Sequence, residues 1–181
     1  MQVRKTNLEG CLIIEPTVFW DQRGYFLESY NDKAFKLETG LDIEFIQDNE
    51  SQSSEGVLRG LHFQRGINAQ AKLVRVVKGS VLDVVVDIRP HSKTFGHHFS
   101  IELSEENKLQ VFIPKGFAHG FLTLEDNTIF SYKCDNYYNK DSESGIIFND
   151  IDLSINWKIG EKQLVVSERD LSLPGFKNIQ L

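Results

Sequence analysis

Apolar positions fall in short, β-branched runs rather than in long amphipathic stretches. Leu12-Ile13-Ile14 runs into Pro16, residues 24–30 alternate roughly and are rich in aromatics, and 73–77 stop at Lys78-Gly79. Residues 81–88 are almost continuously β-branched and end at Arg89-Pro90, while 99–103 alternate cleanly. Residues 109–113 stop at Pro114, and the runs 121–124 and 128–134 follow. Runs spaced by roughly 8–12 residues, with Gly, Pro, Asn and Asp between them, predict a β-sandwich or barrel. Helical periodicity is weak: a turn or two at 33–37 ending at Gly40, and a short helix in the tail from Gly160 onward. No repeat, low-complexity segment or Pro/Gly/Ser-rich linker divides the chain, so one domain spanning residues 1–181 is expected.

Composition narrows the class. With 181 residues and 40% hydrophobic content, one substantial core is within reach. Twenty Lys+Arg against 26 Asp+Glu leave a net charge of −6, which argues against nucleic acid or an anionic membrane as partner. A small phosphorylated ligand held by a few local arginines stays open. The first ten residues lack the apolar stretch of a signal peptide, and no run approaches the ~18–20 apolar residues needed to cross a bilayer. Cys11 and Cys134 are far apart and have neither metal-ligand spacing nor a disulfide framework, so a reducing cytoplasm is expected.

Several segments place polar groups inside otherwise apolar patterns, where burial is costly without a partner or a purpose. In Val57-Leu58-Arg59-Gly60-Leu61-His62-Phe63-Gln64, regular alternation puts Arg59 and Leu61 on one face and Leu58, Gly60 and His62 on the other. Taken alone, the segment reads first as an edge strand with a solvated arginine and a satisfied histidine. Lys72 opens an apolar strand, which a solvated lysine also explains. His119 sits between Gly116 and Gly120 and among three phenylalanines, where glycine permits close backbone approach. Tyr132, and Ser167-Glu168-Arg169-Asp170, read singly as packing and as a charged surface. Near the N-terminus, Phe19-Trp20 and Tyr25-Phe26 flank Arg23 and precede Glu28: a base-stacking, phosphate-holding unit or a packed hairpin. Gln47-Asp48-Asn49 adds amides ahead of the 57–64 segment.

Taken together and in order, these segments resemble the dTDP-4-dehydrorhamnose 3,5-epimerase family. The likeness runs through DQRGYFLE (21–28), QDN (47–49), GVLRGLHFQ (56–64), QAKLVRV (70–76), GSVLDVVVDIR (79–89), IPKGFAHGFLTL (113–124) and SERD (167–170). The resemblance implies an all-β, cupin-type jelly roll with a few short peripheral helices. It implies a nucleotide-sugar isomerase of deoxysugar (dTDP-rhamnose) biosynthesis, acting on a dTDP-4-keto-6-deoxy sugar without a cofactor. Under it His62 is the base, Asp170 its orienting partner, Tyr132 the acid on the other face, and Lys72 the cation beside the enolate oxygen. Arg59, His119 and Arg169 would face the diphosphate and sugar, Gln47 and Asn49 the nucleotide, Tyr138 the thymine, with Glu143 in the same pocket. Arg23, Phe26 and Glu28 would reach a partner's site across a homodimer by exchange of the N-terminal strand. Two departures stand out: Arg169 where many members have lysine, and Arg65-Gly66-Ile67-Asn68-Ala69 in place of a proline-containing loop.

Many cupins instead bind a metal through His-x-His, a glutamate and a later histidine. Here Gln64 follows His62, and Lys72 stands roughly where a carboxylate is expected, so a divalent ion would meet a cation. No metal is expected. A 3-epimerase or 5-epimerase, a related nucleotide-sugar substrate, a metal-dependent cupin and a non-catalytic nucleotide-sugar binding module are the competing readings.

Overall fold

The computed structural model describes residues 1–158 and 164–180. In chain order the strands are β1 (Gln2–Lys5), β2 (Leu12–Glu15), β3 (Val18–Asp21), β4 (Gly24–Leu27), β5 (Gln47–Ser53), β6 (Val57–Gln64) and β7 (Lys72–Lys78). They continue as β8 (Ser80–Asp87), β9 (His98–Ser104), β10 (Gln110–Ile113), β11 (Phe117–Thr123), β12 (Thr128–Cys134), β13 (Glu143–Gly145) and β14 (Val165–Val166). Among the described residues there are also two short helices, α1 (Asp32–Thr39) and α2 (Glu168–Leu171), and three 3₁₀ turns. One sheet has the order β1-β2-β10-β7-β12-β5, the facing sheet β13-β6-β11-β8-β9, and β3-β4 form a separate hairpin. All of these pairs are antiparallel; only β14 joins β6 in parallel. This is the cupin-type jelly roll that the sequence led us to expect.

Three clusters of apolar side chains explain why the strand patterns differ. Between the sheets lie Val74, Val76, Val81, Val85, Phe121 and Phe130. Outside the second sheet, Leu58, Leu61, Leu82, Val84 and Val86 pack against Ile146, Phe148 and Trp157 of the C-terminal segment. Outside the first, Ile14, Leu73 and Phe112 are covered by Phe35 of α1. β8 is therefore buried at every position, which is why its sequence is nearly continuous rather than alternating. Its odd positions, Val81, Asp83, Val85 and Asp87, alternate with Leu82, Val84 and Val86, which face the outer cluster.

Helix α1 forms where expected and extends to both of its caps. The Asn31 side chain accepts from the Ala34 N–H at 3.0 Å, and Gly40, at φ 71°, closes the end with its N–H on the Lys36 carbonyl. Phe35 then sits edge-on to Phe112, with ring centroids 5.6 Å apart. Full burial of such a ring stabilises the layer by roughly 1.5–3 kcal/mol. In the tail, Gly160 lies outside the described residues, and the short helix appears as α2, capped by Ser167, whose hydroxyl accepts from the Asp170 N–H at 3.1 Å.

Candidate active site

Strand β6 departs from the regular alternation read from its sequence. Its pairing with β11 matches His62 to His119 but Arg59 to Phe121, so three residues of β6 span two of β11. The extra residue is a bulge. As a result Leu58 and Leu61 both pack outward, while Arg59 and His62 both line the interior cavity. The expectation that Arg59 and His62 lie on opposite faces is thus corrected, because the strand is not regular. Glycine makes this geometry feasible: Gly60 has φ 116°, and a Cβ there would meet the Gly120 Cα at 2.6 Å and the His119 carbonyl at 2.7 Å.

The cavity is about 550 Å³ and brings His62, Lys72, Tyr132, Asp170, Arg59 and His119 together, with Arg169 at its wall. A second chamber of about 330 Å³ shares His62, Lys72 and Tyr132 with it and adds Gln47, Asn49, Tyr138 and Glu143. The three shared residues therefore stand where the chambers meet. Arg23 and Phe26 lie elsewhere, in a shallow depression of the β3–β4 hairpin, and Glu28 borders a third hollow near α1. Within one chain they do not reach the cavity. Arg23 is instead paired with Asp21 at 2.6 Å.

His62 Nε2 lies 2.8 Å from Asp170 Oδ1, and the other Asp170 oxygen accepts from the Gly60 N–H at 3.1 Å. Burial alone would raise the Asp170 carboxyl. The bonds from His62 and Gly60 outweigh it and hold the group below its ordinary value. Lys72 Nζ lies 5.6 Å from the Tyr132 ring centroid. Burial pushes the Lys72 ammonium down, against the opposing influence of Cys134, Glu143 and Asp83, and pushes the Tyr132 phenol up. Arg59 Nε donates to Ser53 Oγ at 3.3 Å. Glu143 Oε2 accepts from both Arg169 and the Tyr138 hydroxyl, each at 2.5 Å. Burial would raise Glu143, but these two donors hold it low. Gln47 Oε1 accepts the Tyr138 N–H at 3.0 Å, and Gln47 Nε2 donates to Asn49 Oδ1 at 3.0 Å.

One residue escaped the sequence reading. Asp83 is fully buried, and its Oδ2 lies 2.7 Å from His119 Nε2. The available signal was an acid in the all-apolar run 81–86, set aside there as part of a strand. Each cavity histidine therefore has Nε2 committed to a carboxylate. Among the described residues, no group of three or more His, Cys, Asp or Glu side chains is gathered to hold a metal. Among them, too, no helix is long and apolar enough to cross a membrane.

A jelly roll whose interior holds a carboxylate-bound imidazole, a phenol and an ammonium, beside arginines, is the build of a nucleotide-sugar isomerase. Residues 5–178 match the dTDP-4-dehydrorhamnose 3,5-epimerase family model. The chain belongs to that family. It is 52% identical to the Escherichia coli K12 dTDP-4-dehydrorhamnose 3,5-epimerase over 170 residues, 94% of this chain and 91% of the relative. The crystal structure of the Elizabethkingia anophelis NUHP1 enzyme is 58% identical with a TM-score of 0.93, covering 98% of this chain and 97% of that one. The Legionella pneumophila dTDP-6-deoxy-D-glucose-3,5-epimerase, solved with dTDP-4-keto-L-rhamnose, gives a TM-score of 0.95 at 44% identity, covering 99% and 94%.

Proposed function

We propose that the chain inverts C3 and C5 of dTDP-4-dehydro-6-deoxy-D-glucose, giving dTDP-4-dehydro-L-rhamnose, by proton transfer through an enolate. The C4 ketone acidifies the hydrogens on both flanking carbons, so no redox cofactor is called for. His62 takes the proton, the C–H electron pair moves into the ring, and charge develops on the C4 oxygen beside Lys72. Tyr132 then returns a proton from the opposite face and leaves as phenolate. Solvent restores Tyr132 and relieves His62 before the next inversion. Asp170 fixes the imidazole's tautomer and aim. General acid–base transfer typically contributes ~10²–10⁴-fold, and a preorganised charge at the oxyanion ~2.7–4 kcal/mol.

The observation that carries this reading is the convergence of His62, Lys72 and Tyr132 where two chambers join, with Asp170 2.8 Å behind the imidazole. The chamber lined by Tyr138, Gln47, Asn49 and Glu143 would take the nucleotide, and Arg59, His119 and Arg169 the diphosphate and sugar. The test is turnover of that substrate in deuterium oxide, read by NMR. Deuterium at both C3 and C5 is expected. Protium kept at both positions would defeat the reading, and label at C3 alone would make the chain a 3-epimerase. Tyr132→Phe keeps the ring without its donor and should preserve exchange while lowering net inversion.

We infer also that two copies pair and exchange the N-terminal strands. The β3–β4 hairpin joins neither sheet and leaves Phe19, Trp20, Tyr25 and Phe26 exposed by 61%, 68%, 50% and 65%. Such a patch is what an interface covers. Arg23, Phe26 and Glu28 would then complete the partner's cavity. A monomer mass in sedimentation equilibrium would remove this inference.

A further inference from the structure

Tyr138 is 52% exposed on the loop after β12, where nothing in its own strand fixes it. Its surroundings fix it instead. The Asn139 N–H donates to Gln64 Oε1 at 3.0 Å, and Gln64 Nε2 donates to the Tyr137 carbonyl at 3.5 Å. One buried amide thus grips the backbone on both sides of residue 138. Gln64 lies directly across the β6–β13 pairing from Glu143, whose carboxylate receives the Tyr138 hydroxyl. A single rung therefore holds the loop with one side chain and the ring's tip with the other. Further back, Gln70 Nε2 donates to the Asn136 carbonyl at 2.8 Å, steadying the start of the same loop.

We propose that Gln64 is a positioning residue for nucleotide binding, fixing Tyr138 before the nucleobase arrives. The proposal rests on the reading that Tyr138 stacks on the base. An exposed loop tyrosine left free would have to be ordered by the ligand, and that entropy would come out of the affinity. An amide that orders it in advance strengthens ground-state and transition-state binding alike. It therefore acts on KM and dTDP affinity and leaves kcat alone. Glutamine suits the place chemically: glutamate would set a second carboxylate opposite Glu143, and methionine has the length but neither bond.

The experiment is a double-mutant cycle with dTDP titrated calorimetrically into the parent, Gln64→Met, Tyr138→Ala and the double variant, with kcat and KM measured alongside. Gln64→Met is expected to weaken dTDP binding and raise KM by about tenfold, the loss of one or two hydrogen bonds, with kcat within about twofold. In the Tyr138→Ala background the same change should alter affinity by less than about twofold. Should Gln64→Met fail to fold, Gln64→Asn, one methylene too short for the loop, is read in the same way. Additive losses, an unchanged affinity in the Gln64 variant, or a fall in kcat would overturn the proposal while the stacking reading stands. Parent protein that ignores dTDP, or Tyr138→Ala that binds as tightly as the parent, would overturn the stacking reading and this proposal with it.

Discussion

His62–Asp170 and His119–Asp83 invite comparison, because the two pairs measure 2.8 and 2.7 Å and their histidines face each other across β6 and β11. Their settings differ. The His62 side chain is 27% exposed to the cavity, whereas His119 is 8% and Asp83 fully enclosed. Asp170 arrives from a helix 108 residues away and has both oxygens occupied, one by His62 and one by the Gly60 N–H. Asp83 comes from the adjacent strand β8, and its Oδ1 has no hydrogen-bond partner. A carboxylate left half-satisfied in the interior is costly, and its charge is felt at Lys72, whose ammonium it favours. A histidine–aspartate distance alone therefore does not mark a base. Access from the cavity and a fully tethered carboxylate distinguish the first pair and fit the base proposed for it, while the second pair is enclosed.

The sharpest way to break this contrast is to remove the proposed base and then each imidazole's partner in turn. His62→Ala should lower kcat by about 10²–10⁴-fold and leave dTDP affinity near the parent's. Turnover equal to the parent's would move the base elsewhere. Next, Asp170→Asn should cost roughly 10²-fold or more in kcat, since an amide no longer fixes the tautomer. Asp83→Ala should instead show chiefly as lost stability, about 1–3 kcal/mol by urea unfolding, because the buried His119 Nε2 loses its partner. Should Asp83→Ala cripple kcat more than Asp170→Asn, the assignments of the two pairs would have to be exchanged.

The smallest effect is a pH dependence set by the cation near both pairs. Burial places Lys72 below the ordinary lysine value of 10.5 and Tyr132 above the ordinary phenol value of 10.0. As pH rises, Lys72 therefore gives up its proton earlier than a free lysine does, and Tyr132 later than a free phenol. Activity should fall through the lowered lysine value, and in Lys72→Arg, which does not titrate there, any retained activity should persist to higher pH. Stability should move the opposite way. The unfolded chain binds the lysine proton more tightly, so this group's contribution grows as pH rises from its lowered value to 10.5. Read as the parent's urea midpoint minus that of Lys72→Met, stability should rise across this window, and a difference that falls would contradict the placement of Lys72.

Much of this was readable in advance, and the exceptions have physical causes. The strands of the core appeared as apolar or alternating runs because both their faces are covered, as in β8, or one is, as in β9. β5 did not appear, because Gln47–Ser53 contains no apolar residue at all. It alternates strictly in burial, yet its inward side chains, Asn49 and Ser51, line the two chambers rather than a core. Hydrophobic periodicity is blind to a strand that lines a polar cavity. The candidate site residues, by contrast, were proposed from ordered motifs; singly, each had an ordinary structural explanation. Asp83 was overlooked because it lies within a run whose strand character was never in doubt. The face of Arg59 was misjudged because counting by twos assumes a regular strand.

That slipped count has a consequence for anyone who would transplant this chemistry. A jelly roll with the right imidazole and guanidinium written into an uninterrupted strand would present one of them to the cavity and bury the other among leucines. The recipient scaffold needs an inserted residue, and it needs two side-chain-free neighbours, as Gly60 and Gly120 are here, so that the two backbones can touch.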